Sequence, residues 1–172
     1  MRACLIPLML VAAFLSACSD ARNAGEVEAA APPALLGEYS AASEAARTLG
    51  DVGIERAGLI FASGAVLYTR TLEPRAGGDR TSRDGASYAA LAGGDVAQVE
   101  LRRVVSASAA EGFCEGREPS FAALAHAPGR SSFTLLVFAG DDPPGPNAEA
   151  ISLCGSYAYA QVQTAAPGVV LW

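Results

Sequence analysis

The sequence predicts a mainly β fold, an antiparallel small barrel or sandwich of about seven or eight strands with one short N-terminal helix and one disulfide. Two observations carry this prediction. Apolar runs of strand length follow one another along the chain, and short turn sequences containing glycine separate them. Because hairpin follows hairpin, the pattern favours an antiparallel sheet over the long crossovers that a parallel sheet requires.

The first element of the domain is predicted to be a short amphipathic helix from about Gly37 to Leu49. Apolar and small residues recur there at helical spacing, and Gly50 follows as a residue that commonly ends a helix. The recurring residues are Leu36, Tyr39, Ser43, Ala46 and Leu49. As an alternative, the segment Leu36–Tyr39 can begin a strand.

The rest of the domain is predicted to be strands joined by tight turns. The predicted strands are Gly58–Ala62, Ala65–Leu72, Ser87–Ala92, Val96–Val105, Ser120–Ala125, Ser132–Ala139 and Ser152–Gln163, with Val169–Trp172 as a last short strand. Polar, glycine-rich or proline-rich segments between them are predicted to be exposed loops. These loops are Glu73–Gly85, Ser106–Glu118 and Gly140–Ala150.

Three of these strands carry a pattern that predicts which face is buried. In Val96–Val105, apolar Val99 and Leu101 alternate with polar Glu100 and Arg102, which predicts one buried and one solvent-exposed face. The segment Phe133–Ala139 is apolar on both faces, as expected of a central strand under a helix or inside a sandwich. In the last long strand, the alternation predicts Leu153, Tyr157 and Tyr159 on one face and Cys154 on the other.

The N-terminus has the pattern of an export signal. Met1-Arg2 precedes the apolar run Ala3–Leu15, which contains Pro7 and is too short to span a membrane as a helix. The run ends in Leu15-Ser16-Ala17-Cys18, and bulky Leu15 disfavours cleavage by the ordinary signal peptidase. Plain secretion is the alternative to lipidation.

Residues Met1–Cys18 resemble the signal of bacterial lipoproteins. The resemblance implies removal of residues 1–17, with Cys18 as the mature N-terminus carrying a diacylglyceryl thioether and an acylated amine. Residues 18–35 are then a lipidated tether, and residues 36–172 a single β-rich domain. Because serine and not aspartate follows the cysteine, we expect the outer membrane, with the domain facing the periplasm.

The cysteine content agrees with export. Cys4 leaves with the signal and Cys18 is lipidated, so Cys114 and Cys154 remain in a compartment that oxidises thiols. We predict that they form a disulfide, whose loop of roughly 40 residues is worth about 4 kcal/mol in the chain-entropy model. A metal site and a reactive thiol are the alternatives, and a single histidine and no C-x-x-C motif disfavour zinc.

The charge of the chain restricts its partners. The chain has twelve basic residues, all arginine, and 18 acidic residues, so its formal net charge is −6. Loss of Arg2 makes the mature chain more negative still. This balance argues against nucleic acid and against an anionic membrane face as partners. The expected partners are the membrane, through the N-terminal lipid, and a protein of the envelope.

Few residues offer catalytic chemistry, and no cofactor or metal is expected. His126 is the only histidine, and the chain has no Gly-x-Ser-x-Gly motif, so His126 is interpreted as a residue at the end of a strand without a catalytic role. Four oxygen-bearing residues crowd one loop, where a calcium site competes with a solvated turn as the interpretation. They are Asp141, Asp142, Asn147 and Glu149. Glu111, Glu115 and Glu118 surround Cys114 and are interpreted as solubilising loop residues.

One short motif suggests a binding role. The segment Ser82–Tyr88 follows the pattern Ser-x-x-Gly-x-x-Tyr and resembles the signature of periplasmic C-type lysozyme inhibitors. That resemblance implies a small β-barrel lipoprotein in which Ser82 and Tyr88 contact the inhibited enzyme. The cysteines of that family bracket the motif, whereas Cys114 and Cys154 both follow it here.

A second resemblance carries no activity. The segments Cys114–Pro119 and Leu153–Tyr159 are similar to uncharacterised envelope lipoproteins of Gram-negative bacteria. We therefore expect a non-enzymatic envelope lipoprotein in a binding or structural role. The alternatives are an inhibitor of a lysozyme-like or other hydrolase, and a lipid-anchored hydrolase that uses serine or carboxylates.

Overall fold

Eight antiparallel strands close into a barrel in the computed structural model, which describes residues 34–149 and 151–162. The barrel strands are β1 (Gly37–Ala41), β2 (Val52–Ile54), β3 (Gly58–Phe61), β4 (Val66–Thr71), β6 (Gln98–Ser108), β7 (Phe121–His126), β8 (Ser132–Ala139) and β9 (Ser152–Gln161). A two-residue strand, β5 (Arg75–Ala76), pairs with the start of β6. The helices are α1 (Glu44–Leu49) and α2 (Tyr88–Ala92).

The barrel is a meander, because each barrel strand pairs with the next one along the chain. Strand β4 pairs with β6 across the segment that carries β5 and α2, and β9 closes the barrel by pairing with β1, with Ala41 opposite Tyr159. All of these pairings are antiparallel. The predicted fold class is therefore confirmed, as a barrel and not a sandwich.

Side chains fill the barrel interior, as expected for eight strands. Phe133 packs edge-on against Tyr39 and stacks on Tyr159, with ring centroids 5.0 and 5.3 Å apart. Phe113, from the loop between β6 and β7, closes one end of the barrel. Its ring lies 5.2 Å from that of Phe61, so the loop is part of the core.

A second apolar layer covers one side of the barrel. Helix α2 packs on the outer faces of the neighbouring strands, and the buried residues of this layer are Tyr88, Val99, Leu101, Phe121, Ala123, Ala125, Leu136 and Phe138. Strands β7 and β8 therefore have both faces buried, which confirms the prediction of a central strand under a helix.

The predicted strand Ser87–Ala92 is wrong, because this segment is helix α2. The Ser87 side chain accepts a hydrogen bond from the Ala90 N–H, and Gly93 ends the helix with a left-handed φ of 75°. An N-cap and a C-cap so close together allow a single alanine-rich turn. The domain therefore has two short helices where the sequence predicted one.

The predicted helix Gly37–Leu49 is correct only in its second half. Residues Gly37–Ala41 form β1, as in the alternative, and Ser43 caps α1 by accepting a hydrogen bond from the Ala46 N–H. Gly50 ends the helix with a φ of 75°, as predicted. The strand prevails because β1 closes the barrel between β2 and β9.

The prediction of a solvent-exposed polar face on β6 is wrong. Glu100 and Arg102 point into the barrel, and Arg102 is 0% exposed. The apolar face of the strand lies outside the barrel under the second layer. The strand also continues to Ser108, so the loop after it begins later than predicted.

The predicted disulfide is confirmed. Cys114 and Cys154 are joined with their Cα atoms 4.6 Å apart, which connects the β6–β7 loop to the start of β9. The register of β9 against β8 shifts between Val137 and Phe138, opposite Cys154. Leu153 is therefore exposed while Tyr157 and Tyr159 are buried, so the prediction of one shared face is wrong for Leu153.

Several predictions concern residues outside the described part of the chain. The signal Met1–Ala17, the lipidation site Cys18, nearly all of the tether and the short strand Val169–Trp172 lie there. Within residues 34–149 and 151–162, no helix has the length and apolar character needed to cross a membrane.

Candidate functional site

The two edges of strand β6 are not equally occupied along its length. From Gln98 to Arg103 the strand pairs with β7, and Arg103 lies opposite Phe121. The last hydrogen bond towards β7 runs from the Val104 N–H to the Ser120 carbonyl, at 2.9 Å. Beyond it, residues 106–108 pair only with β4, and Val105 is the extra residue of a β-bulge. In the described part of the chain, their other edge has no partner strand.

The alternation of the antiparallel ladder identifies the backbone groups on this free edge. Ser106 and Ser108 lie opposite Tyr68 and Val66 of β4. Because successive residues direct their hydrogen-bonding groups to opposite edges, the N–H and C=O of Ala107 point away from β4. Residues 105–108 are all exposed, so this edge is accessible to a partner.

The free edge forms one wall of a groove of about 470 Å³. The volume is within the range of ligand sites. One wall consists of Val104, Val105, Ser106, Ala107, Ala109, Ala110 and Glu111, and the other of Gly116, Arg117, Glu118 and Pro119. The lining is therefore small and apolar along the strand and charged at its margins.

The loop that forms the far wall is held in place by the core. Cys114 is bonded to Cys154, and Phe113 packs between Phe61 and Tyr157. Ala109 ends β6 with a φ of 49°, a left-handed conformation that turns the chain away from β7. The disulfide and Phe113 thus hold the groove open in the isolated protein.

The first half of β6 is fixed by an ion pair inside the barrel. Arg102 donates to Glu100 Oε1 from Nε at 2.9 Å and from Nη2 at 2.7 Å. Its remaining N–H groups donate to the Glu55 carbonyl at 2.8 Å, to Thr69 Oγ1 at 3.4 Å and to the Leu35 carbonyl at 3.4 Å. All five donors of the guanidinium therefore have an acceptor, as a buried charge requires.

The same ion pair holds the segment that precedes β1. The Leu35 N–H donates to Glu100 Oε2 at 2.8 Å, and its carbonyl accepts from Arg102. Leu35 is 1% exposed and belongs to the barrel core. The first described residues therefore close the barrel at the end where β6 begins, away from the groove.

The residues suggested by the lysozyme-inhibitor motif lie in different environments. Tyr88 is 0% exposed and donates a hydrogen bond to the Pro144 carbonyl at 2.8 Å. Burial raises the pKa of the Tyr88 hydroxyl to about 12. Ser82 is partly exposed and lines a second, shallower groove that shares Arg117 and Glu118 with the first. The structure therefore brings Ser82, but not Tyr88, to the neighbourhood of the β6 groove.

The other candidate residues do not line the β6 groove, although Asp141 and Glu149 line the second groove with Ser82. His126 is buried at the far end of β7, and its Nδ1 lies 3.1 Å from the Ala127 carbonyl. Glu149 forms an exposed ion pair with Arg83 at 3.8 Å. Across residues 34–149 and 151–162, no group of three or more side chains has the arrangement of a metal site.

Two of the three glutamates near Cys114 share the groove. Glu111 and Glu118 both line the groove, whereas Glu115 does not. Reasoning from the sequence missed the groove, because the predicted strand ended at Val105. The available signal was length, since β6 has 11 residues and β7 only six.

Fold and groove together define a closed meander barrel with an accessible strand edge on β6. Neither protein-family models nor curated proteins nor solved structures give a match to this chain.

Proposed function

We propose that this chain is a non-enzymatic, lipid-anchored envelope protein that binds an extended segment of a partner protein. The segment adds as a strand to the free edge of β6. The observation that carries the proposal is the unpaired edge of residues 105–108, which faces a preformed groove. Residues Leu15–Cys18, which end the segment that resembles a lipoprotein signal, support the anchor and the envelope location.

An extended peptide fits this groove for reasons of backbone chemistry. In strand addition, main-chain hydrogen bonds supply the affinity, and pockets for alternate side chains supply specificity. The free edge of residues 105–108 is roughly 13 Å long, and the N–H and C=O of Ala107 are available there for such bonds. Small residues along β6 leave room for the side chains of the peptide, and Arg117 and Glu118 on the far wall can contact its polar groups.

An accessible edge is also an aggregation hazard, and the molecule limits that hazard. Natural proteins protect such edges by keeping them short and by placing charged side chains nearby. Here the free part is short, and Glu111, Arg117 and Glu118 flank it. An edge that is protected but left open is the arrangement expected of a binding site.

The lipid-anchored hydrolase is the second candidate, because Glu111 and Glu118 line the same groove. Glycoside cleavage uses a pair of carboxyl groups that flank the scissile bond. The inhibitor hypothesis is a special case of the first proposal, with a hydrolase as the bound partner and Ser82 beside the contact.

Site-specific photo-crosslinking in the envelope tests the proposal. A photoreactive amino acid at Ser106 should give a discrete adduct with a partner, and the same residue at Ser63, in the β3–β4 turn, should not. Ala107→Pro removes the N–H on the free edge and should abolish the Ser106 adduct, whereas Ala107→Ser keeps the backbone and should retain it. An adduct that survives Ala107→Pro contradicts strand addition.

The hydrolase candidate has its own variant. If the protein only binds, neither the parent protein nor the variants Glu111→Gln and Glu118→Gln should cleave cell-wall glycan. Cleavage of cell-wall glycan by the purified protein that either variant abolishes would instead establish the hydrolase.

A further inference from the structure

The outer wall of β3, β4 and β6 is bare, in contrast to the opposite side of the barrel. We call the outward-facing residues Ile60, Tyr68, Arg70, Arg103, Val105 and Ser106 the bare wall. Ile60, Tyr68 and Val105 are 45%, 50% and 60% exposed, although all three are large and apolar or aromatic. In the described chain, the second layer around α2 covers the outer faces of β7, β8 and the first half of β6, and it meets this wall where Phe121 lies under Arg103.

Two arginines face each other on the bare wall. Arg70 of β4 lies directly opposite Arg103 of β6. Like charges in this position destabilise a sheet, and no carboxylate of the described residues forms an ion pair with either one. The Arg103 guanidinium lies over the Phe121 ring, 5.0 Å from its centroid, and is thereby kept at the surface. An anionic group outside the chain would relieve this repulsion.

The negative net charge of the chain does not describe this wall. Some of the acidic residues lie in the loops between β6 and β7 and between β8 and β9, at the other end of the barrel, and the rest are spread over other loops and strands. Those in the two loops are Glu111, Glu115, Glu118, Asp141, Asp142 and Glu149. The wall itself includes no acidic residue, so its two arginines give it a local positive charge that an anionic surface attracts.

The start of the described chain lies at the same end as the two arginines. Leu35 is bound to Arg102 inside the barrel, and the Ala34 carbonyl accepts from Arg130, in the turn between β7 and β8, at 3.4 Å. The described chain therefore begins at the end of the barrel where β6 begins. A lipid on Cys18 would bring this end of the barrel close to a bilayer, and this step depends on the anchor in the proposed function.

We propose that the bare wall lies against the anionic phospholipid surface of the membrane that holds the anchor. Arg70 and Arg103 contact lipid phosphates, to which guanidinium groups bind in a bidentate manner. Tyr68 and Ile60 enter the interface, where an aromatic ring with a polar tip is favoured. The acidic loops and the far wall of the β6 groove then face away from the lipid.

Fluorescence quenching on vesicles tests this orientation. The processed, lipidated protein is incorporated into phosphatidylcholine vesicles, with or without about one third phosphatidylglycerol. A fluorophore is coupled to an unnatural amino acid at Ser106 on the bare wall, or at Ala90 on α2 as the matched control. With quencher-labelled lipid headgroups, we expect several-fold stronger quenching at Ser106 than at Ala90, and only in the anionic vesicles.

Substitution of the two arginines tests the membrane-facing wall independently of the lipid anchor. Arg70→Gln with Arg103→Gln should lower quenching at Ser106 to the level seen in phosphatidylcholine alone, while the protein still floats with the vesicles. The variant should fold, because it removes a repulsion. Flotation with equal quenching at both positions, or quenching that ignores the arginines, overturns the membrane-facing wall and leaves the anchor intact. Failure to float contradicts the anchor, and the inference with it.

Discussion

The two halves of strand β6 have opposite environments. The first half has a partner on each side, apolar packing on its outer face and a buried ion pair on its inner face. The second half keeps β4 on one edge and is otherwise exposed. A single strand thus begins in the most constrained part of the barrel and ends as an accessible edge. The comparison shows how a rigid element can hold a binding edge in a fixed position without enclosing it.

The largest effect is expected from breaking the Arg102–Glu100 ion pair in the first half of β6. Glu100→Leu leaves the Arg102 charge buried without its carboxylate, which should lower the free energy of unfolding by about 3–5 kcal/mol. Urea denaturation measures this change. The double variant Glu100→Leu with Arg102→Met should lose less than the single one, because no unpaired charge remains. A single variant as stable as the parent protein would show that the pair is not buried as described.

A matched pair of truncations compares the two halves directly. Leu101→Ala removes a fully buried side chain under the second layer and should cost about 2–5 kcal/mol. Val105→Ala, four residues later and 60% exposed, should change the stability by less than about 0.5 kcal/mol. Thermal unfolding of the two variants tests the contrast, and equal losses would contradict it.

Loss of the disulfide should loosen the far wall of the groove. Cys114→Ser with Cys154→Ser removes a cross-link between residues 40 apart in sequence, which should cost about 2–4 kcal/mol. The yield of the Ser106 photo-adduct should also fall, by at least the factor that corresponds to the loss of unfolding free energy, because the loop no longer holds the groove open. An undiminished adduct in a folded variant would show that the loop has no part in binding.

A smaller and pH-dependent effect on stability is expected at Tyr88, which belongs to the apolar layer over the first half of β6. Burial raises its pKa from 10.0 to about 12, so the folded state holds the proton more tightly than the unfolded state. The stabilisation is complete below pH 10 and is lost as the pH rises towards 12. Tyr88→Phe should cost about 0.5–1.5 kcal/mol at neutral pH through the lost bond to Pro144, and should flatten the decline.

The sequence predicts the fold better than the site, and β6 shows why. Alternation and turn residues correctly predict most of the strands, and the two remaining cysteines predict the disulfide. Alternation cannot distinguish solvent from the inside of a barrel, however, so the prediction that Glu100 and Arg102 are solvent-exposed is wrong. Their burial depends on Leu35, Glu55 and Thr69, which come together only when the barrel closes.

The free edge escaped prediction for a related reason. Whether the groups of Ala107 are paired depends on where β7 begins, and that is set by the disulfide and by Phe113 in the core. The strand prediction for Ser87–Ala92 is wrong for a local reason instead. The capping residues of this segment, Ser87 and Gly93, favour one helical turn over the strand that its apolar content suggests.

Amide hydrogen exchange along β6 tests the central claim most directly. In the isolated protein, the amide of Arg102, which points to β7 as that of Val104 does, should be protected to nearly the global stability, while that of Ala107 should exchange at least about a hundredfold faster. On binding of the crosslinked partner, Ala107 should become protected and Arg102 should not change. Equal protection of the two amides in the isolated protein would show that the edge is already occupied, and would contradict the account.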